Sequence, residues 1–309
     1  MNYESFKWSL LEAVRNQTDS GTTVRLQHIS GINGVDHDGI TLSAPRGRLA
    51  PVISLEPYYT RFRNGSSLAC LAGDIIDRHI ASVRERQLTL RERPDFSAVK
   101  DRICFRVINA AMNRQLLETV PHVRKLDLAV IFYIRMAFDG GSELSVMVSL
   151  EDQTRWDVTT ETLYGTALAN TARLKKPVLL PLDRALRRCL EEADPAAPVP
   201  EELWEPVSGM GEHGDCGLFL MTTEDRIYGA CCLFYPALLQ EAARLLDGDL
   251  LIIPSSVHEI LILVEDTAVS VDMLEETVKT VNETEVLPEE VLSGHVYRFG
   301  RHDDDISYA

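Results

Sequence analysis

The clearest pattern of apolar and polar positions lies at residues 247–266, where two short apolar runs flank a polar segment. Residues 250–253 and 260–264 are both continuous apolar stretches, the length of strands rather than helices. Residues 24–29 alternate between apolar and polar and predict a strand, and mostly apolar runs predict strands at 103–108 and 126–136. The glycines at 140 and 141 predict that the last of these strands turns back as a hairpin at 144–148.

Helical spacing alternates with these strands along the chain. Phe6, Leu10 and Val14 recur at the spacing of one helix face. Thr159 and Ser270 each precede an apolar periodic segment and are suited to cap a helix. Together, the pattern favours an α+β fold in two lobes, with antiparallel sheets built from hairpins and helices packed on them.

A further hairpin is predicted by two apolar runs, 218–221 and 227–233, which flank a turn at Glu224 and Asp225. This hairpin would follow the best linker candidate in the chain. Residues 191–206 hold four prolines, Pro195, Pro198, Pro200 and Pro206, together with several acids. We therefore predict an N-terminal α+β lobe at 1–190, a proline-rich linker at 191–206, a C-terminal α+β lobe at 207–300 and a frayed tail at 301–309.

Composition restricts the classes of partner. The formal net charge of −16 and the pI near 4.9 argue against nucleic acid, because binding to phosphate backbones needs clustered lysine and arginine. No apolar segment reaches the length of a membrane span, and no secretory signal begins the chain. The six cysteines form no C-x-x-C pair, as expected for reduced thiols in a cytoplasmic protein. We expect no cofactor.

The polar segment between the first two apolar runs contains the residue types of a hydrolase. These are Ser255, Ser256, His258 and Glu259. In a continuous strand Ser256 and His258 would share a face, and Glu259 would point to the other side. The alternative is that the two serines form a turn between strands and His258 makes only local hydrogen bonds.

A second group of polar residues surrounds the end of the strand predicted at 103–108. Asn109, Asn113, Arg114 and His122 are candidates for binding an anionic ligand or the carboxylate of a partner, and Arg106 could point the same way. The same residues could equally be helix caps and surface charge.

A third candidate is a zinc site. His213 and Cys216 have the spacing of metal ligands, and a hairpin turning at Glu224 would bring Cys216 close to Cys232. Because a fourth ligand is not evident and cysteine is commonly buried, the alternative is that these thiols belong to the core.

Several segments together resemble an uncharacterised bacterial family that is known only as a domain of unknown function. It is typical of Gram-positive gut bacteria and often occurs among genes of mobile elements. The resemblance runs from about residue 30 to residue 300 and is clearest at 33–40, 55–59, 99–109, 120–128, 227–236, 253–259 and 288–297.

A more distant resemblance is to the YtpQ-like family, which is also uncharacterised. It lies at residues 156–159, at Leu163, Ala167 and Asn170, and at the following strand 249–253. The two resemblances imply a soluble bacterial protein with a shared α+β architecture, and they imply no activity and no catalytic residues.

The preferred hypothesis is a cytoplasmic protein that binds a protein partner or a small ligand in a groove near His258 and His122. The alternatives are a hydrolase-type enzyme that uses His258 with Ser255 or Ser256, and a regulatory module stabilised by zinc.

Overall fold

The computed structural model describes residues 1–43, 52–87, 94–137, 143–193, 217–235, 237–266 and 270–309. They divide into two compact units, Met1–Asp95 and Phe96–Ala309. The sequence predicts a different division, into two lobes on either side of residues 191–206. Of that predicted linker, residues 194–206 lie outside the described part of the chain. The strands on either side of it, Pro177–Pro181 and Leu218–Thr223, pair with each other in one sheet.

The first unit is a three-stranded antiparallel sheet with three helices. The apolar face of its first helix is fully buried at Phe6, Leu10 and Val14, as the helical spacing predicts. The side chain of Asn2 caps this helix by accepting from the backbone N–H of Ser5. The elements of the unit are α1 (Tyr3–Gln17), β1 (Thr23–Ser30), β2 (Asp36–Ser43), β3 (Val52–Ser54), α2 (Glu56–Arg63) and α3 (Leu68–Gln87).

The second unit begins with a four-stranded sheet centred on β6. One edge of β6 pairs with β4, and its other edge pairs first with β5 and then with β7, all antiparallel. The hairpin predicted between 126–136 and 144–148 is thereby confirmed. The elements in this part are α4 (Phe96–Val99), β4 (Ile103–Asn109), α5 (Arg114–Leu117), β5 (His122–Lys125), β6 (Leu128–Ala137), β7 (Glu143–Met147), α6 (Leu150–Trp156) and α7 (Thr160–Leu174).

Helix α7 covers one face of this sheet through two polar anchors. Thr171 accepts from the backbone N–H of Phe105 at 3.0 Å, and Asn170 donates to the carbonyl of Ile103 at 2.9 Å. Thr159 caps the helix by accepting from the N–H of Thr162, as predicted. The ring of Phe105 contacts the ring of Tyr235, with centroids 6.2 Å apart, and Arg106, the next residue in the strand, points to the opposite face of β4.

A six-stranded antiparallel sheet, in the order β13-β12-β10-β11-β9-β8, forms the rest of the second unit. Its central hairpin, β10 with β11, is the pair predicted from the two opening apolar runs. The α+β class is therefore confirmed. The remaining elements are β8 (Pro177–Pro181), α8 (Leu182–Ala193), β9 (Leu218–Thr223), α9 (Leu238–Leu246), β10 (Leu250–Ser256), β11 (Glu259–Val264), α10 (Val271–Thr284), β12 (Tyr297–Phe299) and β13 (Ser307–Tyr308).

One prediction for this unit was wrong. Residues 227–233 do not form a strand with 218–221; a 3-10 helix, Gly229–Phe234, occupies most of that run, and β9 pairs with β8 and β11. A short apolar run does not distinguish a strand from a buried helical turn. In the segment predicted as a frayed tail, β13 pairs with β12 and Ile306 is buried, and the fraying itself stays a prediction. Among the described helices, none combines the length and apolar character that crossing a bilayer requires.

Candidate functional site

His258 lies in the tight turn between β10 and β11 and is held from both sides of its ring. Its Nδ1 accepts the backbone N–H of Tyr228 at 3.1 Å, which makes Nε2 the protonated nitrogen of the neutral ring. Nε2 lies 3.4 Å from Oε1 of Glu290. Both nitrogens are therefore engaged, which fixes the orientation of the ring.

The serines beside His258 are not arranged as nucleophiles. Ser256 accepts the backbone N–H of His258 at 3.0 Å, and Ser255 hydrogen-bonds Glu259. Among the described residues, no hydrogen bond joins either hydroxyl to the imidazole. The chain does not continue as one strand here: it turns at 257–258 and brings Ser256 and Glu259 into register. An activated nucleophile needs its base within hydrogen-bond reach.

A stack of side chains extends inward from His258. The ring of Tyr228 lies parallel to the imidazole, with centroids 5.5 Å apart and an interplanar angle of 17°. The guanidinium carbon of Arg106 lies 4.8 Å from the centroid of the same Tyr228 ring, within the range of a cation–π contact. We call Arg106, Tyr228, His258 and Glu290 the Arg106 stack.

Arg106 is the unusual member of this stack. Only 7% of its surface is exposed, and it forms no hydrogen bond and no ion pair with any described residue, its Nε being buried without a partner. The outer end of the stack reaches solvent, since the side chains of His258 and Glu290 are 30% and 34% exposed. Buried polar groups nearly always have partners, and an exception calls for an explanation such as an ion or ligand.

The backbone that presents Tyr228 is held in a strained turn. Tyr228 has a φ of 54°, in the left-handed region that non-glycine residues seldom adopt. The carboxylate of Asp225 accepts the backbone N–H of Ile227 at 3.2 Å, and Lys175 donates to the carbonyl of Ile227 at 3.1 Å. Lys175 and Asp225 also form an ion pair. This pair therefore fixes the residue that precedes Tyr228.

Neighbouring backbone contacts join the turn at His258 to the 3-10 helix. Thr222 donates to the carbonyl of His258 at 2.7 Å, and the N–H of Ala230 reaches the carbonyl of Val257 at 3.3 Å. Gly229 lies between these contacts, where a Cβ would approach Oγ1 of Thr222 to 2.2 Å. Only glycine fits here without a shift of its neighbours.

The second predicted group is only partly assembled. Asn109 donates to the carbonyl of Leu292 at 3.0 Å, and Asn113 donates to the carbonyl of Asn109 at 2.7 Å. The His122 ring contacts the carbonyl of Val120 at 3.1 Å, and Arg114 is exposed at the beginning of α5. The two asparagine side chains therefore donate to backbone carbonyls, that of Asn113 within the same turn and that of Asn109 to a residue distant in the sequence. The sequence indicated Arg106 only as an addition to this group.

The predicted zinc site assumed that residues 227–233 form a hairpin with β9, and this assumption was wrong. Residues 227–233 do not pair with β9 as a ladder, and the thiol of Cys232 is buried and donates to the carbonyl of Thr222. His213 and Cys216 lie outside the described residues. Within the part of the chain that the structure covers, no three His, Cys, Asp or Glu residues are grouped to hold a metal ion.

Glu259 leads to a prediction about pH. Burial raises the pKa of Glu259, and the attraction of His258 and Arg226 only partly opposes this rise. A pKa raised by folding gives stability that is full below the unfolded value of about 4.3 and is lost as pH rises through the folded value. Glu259→Gln removes this loss, so we expect the variant to be slightly more stable than the wild type at pH 7.

Urea unfolding of the two proteins between pH 4 and pH 8 measures this effect, with Glu283→Gln, an exposed acid on α10, as the control. A Glu259→Gln variant that is less stable at pH 7 would show that the hydrogen bond with Ser255 outweighs the cost of burial.

The comparison with known protein families covers nearly the whole chain. A family model described as "Family of unknown function (DUF5688)" matches residues 3–301. No curated protein and no solved structure matches the chain. The resemblance to a family of unknown function is thereby confirmed, and the similarity to the YtpQ-like family stays a prediction.

Proposed function

The chain belongs to the DUF5688 family, whose function is unknown, and we propose that it is a cytoplasmic bacterial protein that binds a small anionic ligand at the Arg106 stack. The observation that carries the proposal is the buried guanidinium of Arg106, which has no hydrogen-bond or ion-pair partner among the described residues. An uncompensated buried charge costs several kcal/mol. A bound anion would remove that cost.

The chemistry of arginine restricts the ligand. Its guanidinium presents a planar fork of donors that matches a carboxylate or a phosphate. Tyr228 lies against the guanidinium, whose carbon is 4.8 Å from the centroid of the ring. The anion would therefore bind at the N–H groups that the ring leaves open. Because Arg106 is only 7% exposed, a small molecule fits this position better than the surface of a folded partner.

The stack is also rigid, which favours binding. The His258 ring is fixed at both nitrogens and lies parallel to Tyr228, so little side-chain freedom is left to lose. None of the five cysteines among the described residues forms a disulfide, which supports a cytoplasmic location. The hydrolase and zinc hypotheses have no comparable observation in their favour.

Thermal unfolding with inorganic phosphate and a panel of small mono- and dicarboxylates tests the proposal. Chloride at equal ionic strength separates specific binding from screening. A ligand present at 100 times its dissociation constant stabilises the folded protein by about 2.7 kcal/mol. We expect at least one anion to raise the unfolding midpoint.

Arg106→Met is the decisive variant. Methionine keeps an unbranched apolar stem but removes the charge, so the variant should lose the response to the anion. Its midpoint without ligand should equal or exceed that of the wild type, because the unpaired charge costs more than the cation–π contact, worth about 2 kcal/mol at most, contributes.

Arg114→Met is the matched control, since Arg114 is exposed, and it should keep the anion response. If Arg106→Met lowers the midpoint without ligand, Arg106 is structural and the proposal fails. If the anion response survives in Arg106→Met, the anion binds elsewhere.

A further inference from the structure

A separate cavity of about 360 Å³ opens in the second unit, and the proposed anion site does not use it. Its lining comes from the end of β5, α7, the end of the 3-10 helix, α9, β12 and the loop before β13. This volume is within the range of small-molecule sites, which are mostly apolar with a few placed polar groups.

The apolar part of the cavity is formed by buried side chains. Leu233, Phe299 and Ile306 line it and are at most 7% exposed. Tyr235 presents its ring, because its hydroxyl already donates to the carbonyl of Lys175 at 2.8 Å. These groups suit a compact aromatic or branched aliphatic body.

The charged groups at the cavity are Lys125, Asp304 and Asp305. Lys125 and Asp305 form an ion pair and neutralise each other. The carboxylate of Asp304 makes no hydrogen bond or ion pair with the residues that the structure describes, and it leaves one uncompensated negative charge. The remaining titratable groups are the phenols of Tyr164 and Tyr235, and burial raises the pKa of both, so both are neutral at pH 7.

We propose that this cavity binds a small organic amine, with its apolar body against Leu233 and Phe299 and its ammonium group facing Asp304. An acid and an apolar wall together select a cation with a hydrophobic body over a neutral or anionic molecule of the same shape.

Three probes of nearly equal shape test this preference by calorimetric titration of the full chain. They are phenethylamine, 2-phenylethanol and phenylacetate. We expect phenethylamine to bind about fivefold more tightly than the alcohol, as an exposed ion pair of up to about 1 kcal/mol provides. Phenylacetate should bind least. No binding by any probe, or equal binding by all three, would overturn the proposal.

Two variants locate the binding. Asp304→Asn should bring phenethylamine to the affinity of the alcohol, whereas Glu283→Gln, another exposed acid, should keep the preference. Leu168→Trp fills the cavity and should abolish binding of all three probes. Because Asp304 is exposed, Asp304→Asn should fold even if Leu168→Trp does not. If Asp304→Asn still binds phenethylamine more tightly than the alcohol, the assignment of the amine site is wrong.

The result is independent of the anion site. Arg106→Met should leave amine binding intact, and Asp304→Asn should leave the anion response intact. A failure of one proposal is therefore distinguishable from a failure of the other.

Discussion

Replacing Asp225 with asparagine is expected to lower the free energy of unfolding by about 3 kcal/mol. The side chain of its partner, Lys175, is completely buried, with 0% exposure. Removing one member of a buried ion pair costs about 3–5 kcal/mol because it leaves the other charge uncompensated. The side chain of Asp225 is 32% exposed, which places the loss at the lower end of that range.

Asparagine isolates the effect of the charge. Its amide oxygen can still accept from Thr223 and from the N–H of Ile227, as the carboxylate does. In the variant, the neutral amide of residue 225 faces the ammonium group of Lys175. That ammonium group has one other acceptor, the carbonyl of Ile227. The turn that presents Tyr228 should loosen, and the anion response should weaken with it.

Stability against pH provides a second measurement. Burial alone would raise the pKa of Asp225, but the hydrogen bonds from Lys175 and Thr223 outweigh it and lower the pKa. A lowered pKa gives stability that is present above the unfolded value of about 3.9 and is lost as pH falls through the folded value. The difference in free energy of unfolding between the wild type and Asp225→Asn should therefore be largest at pH 7 and should become smaller below pH 4.

Urea unfolding, with hydrogen exchange read in β8 and β9, follows this loss in the second unit. Glu241→Gln is the control, because it breaks an exposed pair with Arg244 on α9, and its midpoint should be essentially unchanged. Replacing both Lys175 and Asp225 with methionine should restore much of the stability. A midpoint for Asp225→Asn within error of the wild type would contradict the argument.

The parts of this fold that could be predicted from the sequence are those with local signals. The β10–β11 hairpin follows from two apolar runs around a polar turn, and α10 begins at the cap provided by Ser270. The 3-10 helix was not predicted, because a short apolar run such as residues 227–233 does not distinguish a strand from a buried helical turn, even with Gly229 inside it. The left-handed turn before it uses Arg226 and Tyr228 rather than glycine.

The candidate site was predicted at one end only. His258 stands out in a polar turn, whereas Tyr228 and Arg106 reach it through tertiary packing, and Arg106 lies more than a hundred residues from the other two in the sequence. One signal for Arg106 was available: it is the only charged residue within β4, which is otherwise apolar up to Asn109. A charge within such a strand must be paired or bind something. Lys175 had no such signal, because a lysine at the end of a helix usually faces solvent.

Gly229→Ala tests how the turn at His258 and the 3-10 helix depend on each other. A Cβ on Gly229 would lie 2.2 Å from Oγ1 of Thr222 and 2.3 Å from the carbonyl oxygen of His258. One of these atoms is backbone, so a rotamer change does not relieve the clash. We expect a loss of about 1–3 kcal/mol, the usual cost of overpacking.

The same substitution should abolish the anion response. Relief of the clash must displace the carbonyl of His258 or break its 2.7 Å hydrogen bond from Thr222. Either movement shifts the imidazole away from Tyr228, the residue next to Gly229. Gly229→Ala should therefore lose both stability and anion binding, whereas Arg106→Met loses binding alone. Thermal unfolding with and without the anion separates the two patterns.

Gly165→Ala is the matched control for this experiment. Gly165 lies inside α7, and an added Cβ there meets no atom within 4 Å. Alanine in place of glycine inside a helix stabilises by about 0.5–1 kcal/mol, so the control should move the midpoint in the opposite direction and keep the anion response. If Gly229→Ala behaves like Gly165→Ala, the close approach of Thr222 and His258 does not constrain the turn, and the rigid stack proposed for anion binding loses its support.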